Sequence, residues 1–309
     1  MRWLARALVA LALVAAGGCG SGSSGGAGNS GHRETGPGGG ASAGAPSAHG
    51  GRALAGNRTP RRVRTLSLPP SAAPRSVRVP ILTYHRVHLF ATELTKSIPD
   101  ETVEPGVFAA EMNALARGHY HSITQAQLYD ALFRGASLPS RPVLITVDDG
   151  YVDDIKEILP VLRRDHLVAT FYIITGRYHE PGFLNPTEVR RLDAAGMDIG
   201  AHTRTHADLP ALPLARLREE ISGSRRDLQR VLGHFVYFFA YPYGAQTPAV
   251  VEEVRRAGFV LAVTTKGGTH ESSQAPLTMP RIHVGRNSSA ASILACMAAA
   301  SGSGCGGGT

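Results

Sequence analysis

The sequence predicts an α/β fold, a barrel of parallel βα units preceded by a disordered tether. From Val79 onward, short apolar runs alternate with helical patterns, the order that parallel βα units require. That part is about 230 residues long, the size of a small barrel of such units. The residues able to do chemistry fall just after apolar runs, at the strand ends where such barrels gather their site.

The elements follow in order. Val79–Tyr84 reads as a buried strand ending at His85. Pro105–Gly118 is a helix, with proline near its first position, Phe108, Met112 and Leu115 at three-to-four spacing, and a glycine C-cap. Tyr120–Ile123 is a short strand and Thr124–Phe133 a capped helix stopped by Gly135. Pro142–Val147 is a β-branched strand running into Asp148-Asp149-Gly150, and Ile155–Arg164 is a helix kinked or restarted near Pro160. Ala169–Thr175 is a strand, Thr187–Ala195 a helix, and Met197–Ala201 a strand running into His202. Pro213–Leu232 is one long amphipathic helix closed by Gly233. Phe235–Ala240 (strand), Pro248–Ala257 (helix), Phe259–Thr264 and Met279–Val284 (strands) complete the pattern.

The N-terminus reads as an address. Arg2 and Arg6 precede an apolar run, Ala7–Ala16, that ends in Gly17-Gly18-Cys19. Ten apolar residues are too few to span a bilayer core, which needs about 20. Residues 1–18 therefore read as a signal peptide, and the cysteine after small residues resembles a bacterial lipobox. The expected location is outside the cell, lipid-anchored at the outer face of the membrane or secreted, with a retained anchor as the remaining alternative. Residues 19–78, Gly/Ser-rich and then Arg/Pro-rich, lack apolar periodicity and read as a flexible linker. Such a coil spans about 40–45 Å. Its arginines either touch anionic lipid or wall polymer or are simply solvated.

The net charge of +8 belongs to the leader and linker. They hold ten arginines against one glutamate, while residues 79–309 carry 22 Lys+Arg against 23 Asp+Glu. A near-neutral folded part excludes nucleic acid as a partner on charge grounds. Residues 286–309 read as a flexible tail in which Cys296 and Cys305 either pair or remain thiols. A monomer is expected.

Three constellations carry the chemistry. Asp148 and Asp149 are adjacent carboxylates at a strand end, so one can bind a cation while the other faces substrate or water. Asp153 and Asp154 read as first-turn helix acids. In His202-Thr203-Arg204-Thr205-His206 the histidines are four apart, which on a helical turn puts both imidazoles on one side, and neutral imidazole is a common zinc ligand. Two histidines and a carboxylate leave coordination positions open, as a catalytic metal site requires. Arg204 is expected to face solvent or substrate. Phe238–Gly244 is an aromatic strand ending in Pro242-Tyr243-Gly244, a rigid turn able to present backbone N–H groups.

These pieces, in this order, resemble the polysaccharide deacetylases of carbohydrate esterase family four, the NodB-like domain. Thr146–Gly150 looks like the first motif, His202–His206 the second, and Tyr241–Gly244 the third. Tyr84-His85-Arg86-Val87 and Met279-Pro280-Arg281-Ile282-His283 are similar to a poly-N-acetylglucosamine-deacetylase branch, and the resemblance covers residues 79–285. It implies a distorted barrel of about seven parallel strands. It implies a divalent metal, zinc first and cobalt or nickel after it, on Asp149, His202 and His206. Asp148 becomes the general base, and Tyr243, following Pro242, supplies a backbone N–H to the oxyanion. Where the family has an arginine paired with the base, this chain has Ala240, and His85 is the expected replacement. His283 is the candidate general acid. The implied activity is metal-dependent removal of N-acetyl groups from an N-acetylglucosamine-containing extracellular or wall polysaccharide. The alternatives are an O-acetyl (xylan-type) esterase and an inactive tethered glycan-binding module.

Overall fold

The computed structural model describes residues 65–71, 73–90 and 100–299. The readings for residues 1–64, Cys19 included, and for Cys305 lie outside the described residues. The first half contributes β1 (Ser76–Arg78), β2 (Ile81–Tyr84), β3 (Arg86–Val87), β4 (Thr102–Val103), α1 (Pro105–Arg117), β5 (His121–Ser122), α2 (Gln125–Arg134), β6 (Pro142–Val147) and α3 (Leu159–Arg164). Next come β7 (Thr170–Ile173), α4 (Pro186–Ala194), β8 (Asp198–Ala201), α5 (Leu214–Arg218), α6 (Ser224–Leu232), β9 (Phe238–Ala240) and α7 (Pro248–Arg256). The chain closes with β10 (Leu261–Val263), β11 (His270–Ser272), β12 (Ile282–His283) and α8 (Ala290–Ala298).

The main sheet runs β10-β9-β8-β7-β6-β2-β12, every neighbour parallel, with β5 also parallel to β6. Its two ends meet at a bridge between Val263 and Met279, where Thr264 N–H donates to Met279 O (2.9 Å) and Met279 N–H to Ala262 O (2.9 Å). The sheet is thus curled into a distorted barrel of seven parallel strands. Alternation sorts its side chains: Leu82, Ile145, Phe171 and Phe239 pack against the helices, while Ile81, Leu144, Tyr172 and Phe238 join the second core. Each strand therefore delivers its next residues to one end of the barrel.

Two predicted helices contain wider turns. Asp154–Ile158 forms a π-helical turn before α3, and Glu219–Gly223 forms one between α5 and α6. The periodicity of one long helix over Pro213–Leu232 hides that change of winding.

Residues read as lying outside the domain contribute to it. In the linker, Leu66 is buried in the second core and β1 pairs antiparallel with β11. In the tail, α8 packs Ile293, Cys296 and Met297 inward, with Ser289 as N-cap. The Arg78 guanidinium donates to the carbonyls of Met297 and Ala298, both at 2.7 Å, satisfying the exposed end of α8. Cys296 is disulfide-bonded to a partner outside the described residues.

Glu271, opposite Val77 in the β1–β11 pair, is fully buried with both carboxylate oxygens unpartnered. Burial pushes its pKa up to about 9 from an ordinary 4.5. The folded state then holds a proton that the unfolded chain releases, so this group lowers stability as pH rises from about 4.5 to about 9. Glu271→Gln is expected to flatten the decline of melting temperature across that window and to raise it at pH 8. Parallel pH profiles for the two proteins would refute this account.

Candidate active site

The site grows from the ends of β2, β6, β8, β9, β10 and β12, which line one cleft with His85, Asp148, Asp149, His202, His206, Tyr241, Tyr243, Thr265, Arg281 and His283. Arg86, Glu101, Thr102 and Tyr151 complete its wall.

At the end of β6, Asp148 N–H still donates to Tyr84 O (2.9 Å), continuing the sheet. Asp149 (φ 77°) and Gly150 (φ 79°) then turn left-handed. A Cα without a side chain suits the second position, and an Asp tolerates the first better than most residues do. The turn sends the two carboxylates to different partners. Asp148, 2% exposed, receives a two-pronged grip from Arg281, with Nη1 donating to Oδ1 at 2.8 Å and Nη2 to Oδ2 at 2.7 Å. Arg281 is itself fixed by Thr264 O (2.8 Å from Nε) and Thr146 Oγ1 (3.1 Å from Nη1). Burial alone would raise the Asp148 pKa; the Arg281 charge and hydrogen bonds override it and hold the carboxyl below its ordinary range.

Asp149 faces the histidines. Its Oδ1 is buried without a hydrogen-bond partner and lies 3.5 Å from His202 Nε2 and 3.6 Å from His206 Nε2. Those spacings exceed good hydrogen bonds. Tetrahedral zinc ligands at about 2.0–2.2 Å from the metal stand about 3.3–3.6 Å from one another, so the three residues fit a shared cation. His202 Nδ1 donates to Ala240 O at 2.8 Å, which leaves the Nε2 lone pair free for a metal. Burial lowers the His206 pKa to about 4, assisted by the His202 charge, so this imidazole is neutral at pH 7. Burial also opposes a charge on His202, but Asp149 and then Asp148 outweigh it and raise its pKa.

The two histidines meet without a helix. Residues 202–206 form an irregular loop in which Thr203 (φ 63°) and His206 (φ 59°) are left-handed, and the rings stand 4.8 Å apart. The helical-turn expectation is therefore corrected: the two rings meet across an irregular loop, not on a helical turn. Arg204 also departs from expectation. It turns from the cleft and pairs with Asp227 (Nε to Oδ2, 2.7 Å; Nη2 to Oδ1, 2.9 Å) and with Glu219.

Arg281, not His85, grips Asp148. His85 Nε2 stands 4.0 Å from Asp148 Oδ2, and its ring is 5.8 Å from that of His283. Burial and then His85 lower the His283 pKa. Arg281 lies within the Met279–His283 stretch, two residues before His283. The signal was period-two alternation: if His283 faces the cleft from β12, the residue two before it shares that face. Tyr243 (φ 58°) sits on the rim with its ring 4.5 Å from that of His206, above buried Pro242. Asp153 binds Arg86 (3.4 Å) and His88 (3.4 Å). Asp154 lies in the first turn of the π-helical segment, as read, and is fully buried with both oxygens unpartnered. Burial, then Asp153, Asp149 and Asp148, push its pKa well up, so it is held protonated.

Comparison with known proteins agrees with this geometry. Residues 135–262 match the family described as Polysaccharide deacetylase. YxkH of Bacillus subtilis (strain 168) is 23% identical over 210 residues, 68% of this chain and 72% of that protein. The peptidoglycan-N-acetylglucosamine deacetylase of Bacillus cereus is 28% identical over 141 residues, 45% of this chain and 50% of that one. The Streptococcus pyogenes deacetylase PplD, solved in complex with acetate, aligns at a TM-score of 0.68 with 25% identity, covering 73% of this chain and all (100%) of that one. IcaB from Ammonifex degensii aligns at 0.62 with 26% identity over 72% of this chain and 97% of that one. Residues 135–262 are thus a polysaccharide deacetylase domain.

Proposed function

We propose that this enzyme removes N-acetyl groups from an N-acetylglucosamine-containing extracellular or cell-wall polysaccharide, with a divalent cation, zinc first, on Asp149, His202 and His206. The observation that carries the reading is the division between neighbouring aspartates: Asp149 offers an unpartnered oxygen to two imidazoles, while Arg281 holds Asp148 ionised in the same cleft. The Bacillus cereus relative's name supports the sugar, and the acetate in the PplD complex supports the product.

When bound, the cation polarises the acetyl carbonyl and eases deprotonation of the attacking water. Asp148 is the general base and accepts that proton, and Arg281 keeps it ionised and aimed. The Tyr243 backbone N–H donates to the oxyanion at the turn after Pro242. His283 is the general acid and delivers a proton to the nitrogen as the C–N bond breaks, leaving acetate and a free amine on the sugar. His85 lies beside it, with ring centroids 5.8 Å apart. The N-terminal reading extends the proposal: residues 1–18 direct export, Cys19 carries the lipid, and the following linker holds a monomeric domain off the membrane. Among the described residues no helix is long and apolar enough to cross a membrane.

Acetate release from chitooligosaccharides, peptidoglycan and acetylxylan tests the activity. Release from the N-acetylated glycans is expected to stop with chelator, return with Zn2+, and fall about 10²–10⁴-fold in Asp148→Asn. Release that ignores both the chelator and the substitution would rule the mechanism out, and release from acetylxylan alone would make the enzyme an ester hydrolase.

The buried ion pair makes a separate prediction. Arg281→Met leaves a buried, uncompensated Asp148 charge and is expected to cost about 3–5 kcal/mol in denaturant unfolding, with activity lost. Adding Asp148→Asn should recover most of the stability and none of the activity. An Arg281→Met protein as stable and active as the parent contradicts the pairing.

A further inference from the structure

The loop carrying both histidines adopts a conformation its own sequence disfavours. Thr203 and His206 have φ of 63° and 59°, and a β-branched residue in that region is an outlier. Such residues persist only where the surroundings over-determine them. Part of the constraint is internal, since His206 N–H donates to Thr203 Oγ1 at 2.9 Å. Part comes from the turn after β7, where Gly176 N–H donates to Arg204 O at 2.8 Å. The remainder comes from the π-helical turn between α5 and α6. There Glu220, 2% exposed, accepts the N–H groups of Arg204 and Thr205 on Oε2, both at 2.9 Å, and the Thr205 hydroxyl on Oε1 at 2.9 Å.

Close approach is built into both sides. A Cβ on Gly176 would stand 2.4 Å from Arg204 O, and one on Gly223 would stand 2.7 Å from Arg204 Nε. The wider turn at Glu219–Gly223 brings Glu220 to the two residues lying midway between the metal-site histidines. The Arg204–Asp227 pair reaches the same loop, but Arg204 is 31% exposed and its pairing is screened by solvent. The Glu220 contacts are part-buried hydrogen bonds to a carboxylate that is itself 2% exposed, and hydrogen bonds to an ionised acceptor are stronger than neutral ones.

We propose that Glu220 is the positioning residue of the metal centre: it holds the 203–205 backbone so that His202 and His206 keep their Nε2 atoms turned toward Asp149. This rests on the reading of Asp149, His202 and His206 as metal ligands. Glu220 touches neither cation nor substrate, and it acts through the loop.

The test uses the full chain, Zn2+ affinity by competition with a chromophoric chelator, and the visible spectrum of the Co2+-loaded protein. Glu220→Ala is expected to weaken Zn2+ binding about 10–100-fold and to change the Co2+ spectrum. Glu220→Gln is expected to stay near the parent, because its carbonyl accepts both N–H groups while its amide donates to the Thr205 hydroxyl. Leu228→Ala, a cavity in the same helical segment, controls for simple destabilisation: it should lower the melting temperature and leave Zn2+ affinity alone. The proposal is overturned if Glu220→Ala binds Zn2+ as the parent does, if Leu228→Ala weakens binding equally, or if Glu220→Gln fails like the alanine variant. A parent protein that binds neither Zn2+ nor Co2+ overturns the metal reading itself, and the positioning role with it.

Discussion

The pairing of Arg281 with Asp148 joins the closure of the barrel to its chemistry. Arg281 lies on the segment that runs from the Met279 bridge with β10 into β12, the last strand of the curled sheet. Its guanidinium reaches back across the interior to Thr264 O, Thr146 Oγ1 and both oxygens of Asp148. One side chain, 1% exposed, thus ties the two ends of the sheet to β6. Charged groups are seldom buried so fully unless every donor is satisfied. Here the arginine also holds the Asp148 carboxyl below its ordinary range, as the proposed role of a base requires.

The same logic separates the acids of the 148–154 stretch. Asp148 and Asp149 stay ionised because Arg281 and the histidines face them. Asp154 has no cation facing it and three carboxylates near it, so it is neutral. A third negative charge at this depth would compete for whatever neutralises the first two.

Much of this was legible before any coordinates. The alternation of strands and helices gave the parallel sheet, because periodicity reports which face is buried. The paired aspartates and spaced histidines gave the constellation, because strand ends in such a sheet converge. What stayed hidden was decided by long-range partners. The strands at Ser76–Arg78 and His270–Ser272 are three residues each and exist only because they find one another. α8 was obscured by its Ala- and Ser-rich composition, although the Ser289–Ser292 capping box was there to read. The linker boundary moved for a related reason: Arg78, counted as linker charge, is the group that closes α8. Arg281 is not legible from the place held by Ala240, because its guanidinium is long enough to reach Asp148 from another strand.

Backbone strain is concentrated where the chemistry is. Among the described residues the non-glycine positions with positive φ are His119, Arg141, Asp149, His166, Thr203, His206 and Tyr243. Four of these seven line the cleft or lie between its histidines. Each costs on the order of 1–3 kcal/mol, which a core of ordinary strands and helices must offset. The cost has a geometric cause. Parallel strands deliver side chains to the barrel mouth on alternating faces, pointing inward or outward, whereas a cation needs ligands converging from several directions above that mouth. Left-handed residues immediately after the strands redirect the chain within two or three positions, which no regular element can do. Hydrogen bonds accepted by Ala240 O, Thr203 Oγ1 and Glu220 Oε2 then fix the redirected groups. In this fold the regular sheet sets where the site lies, and the strained turns that leave it set what the site can hold.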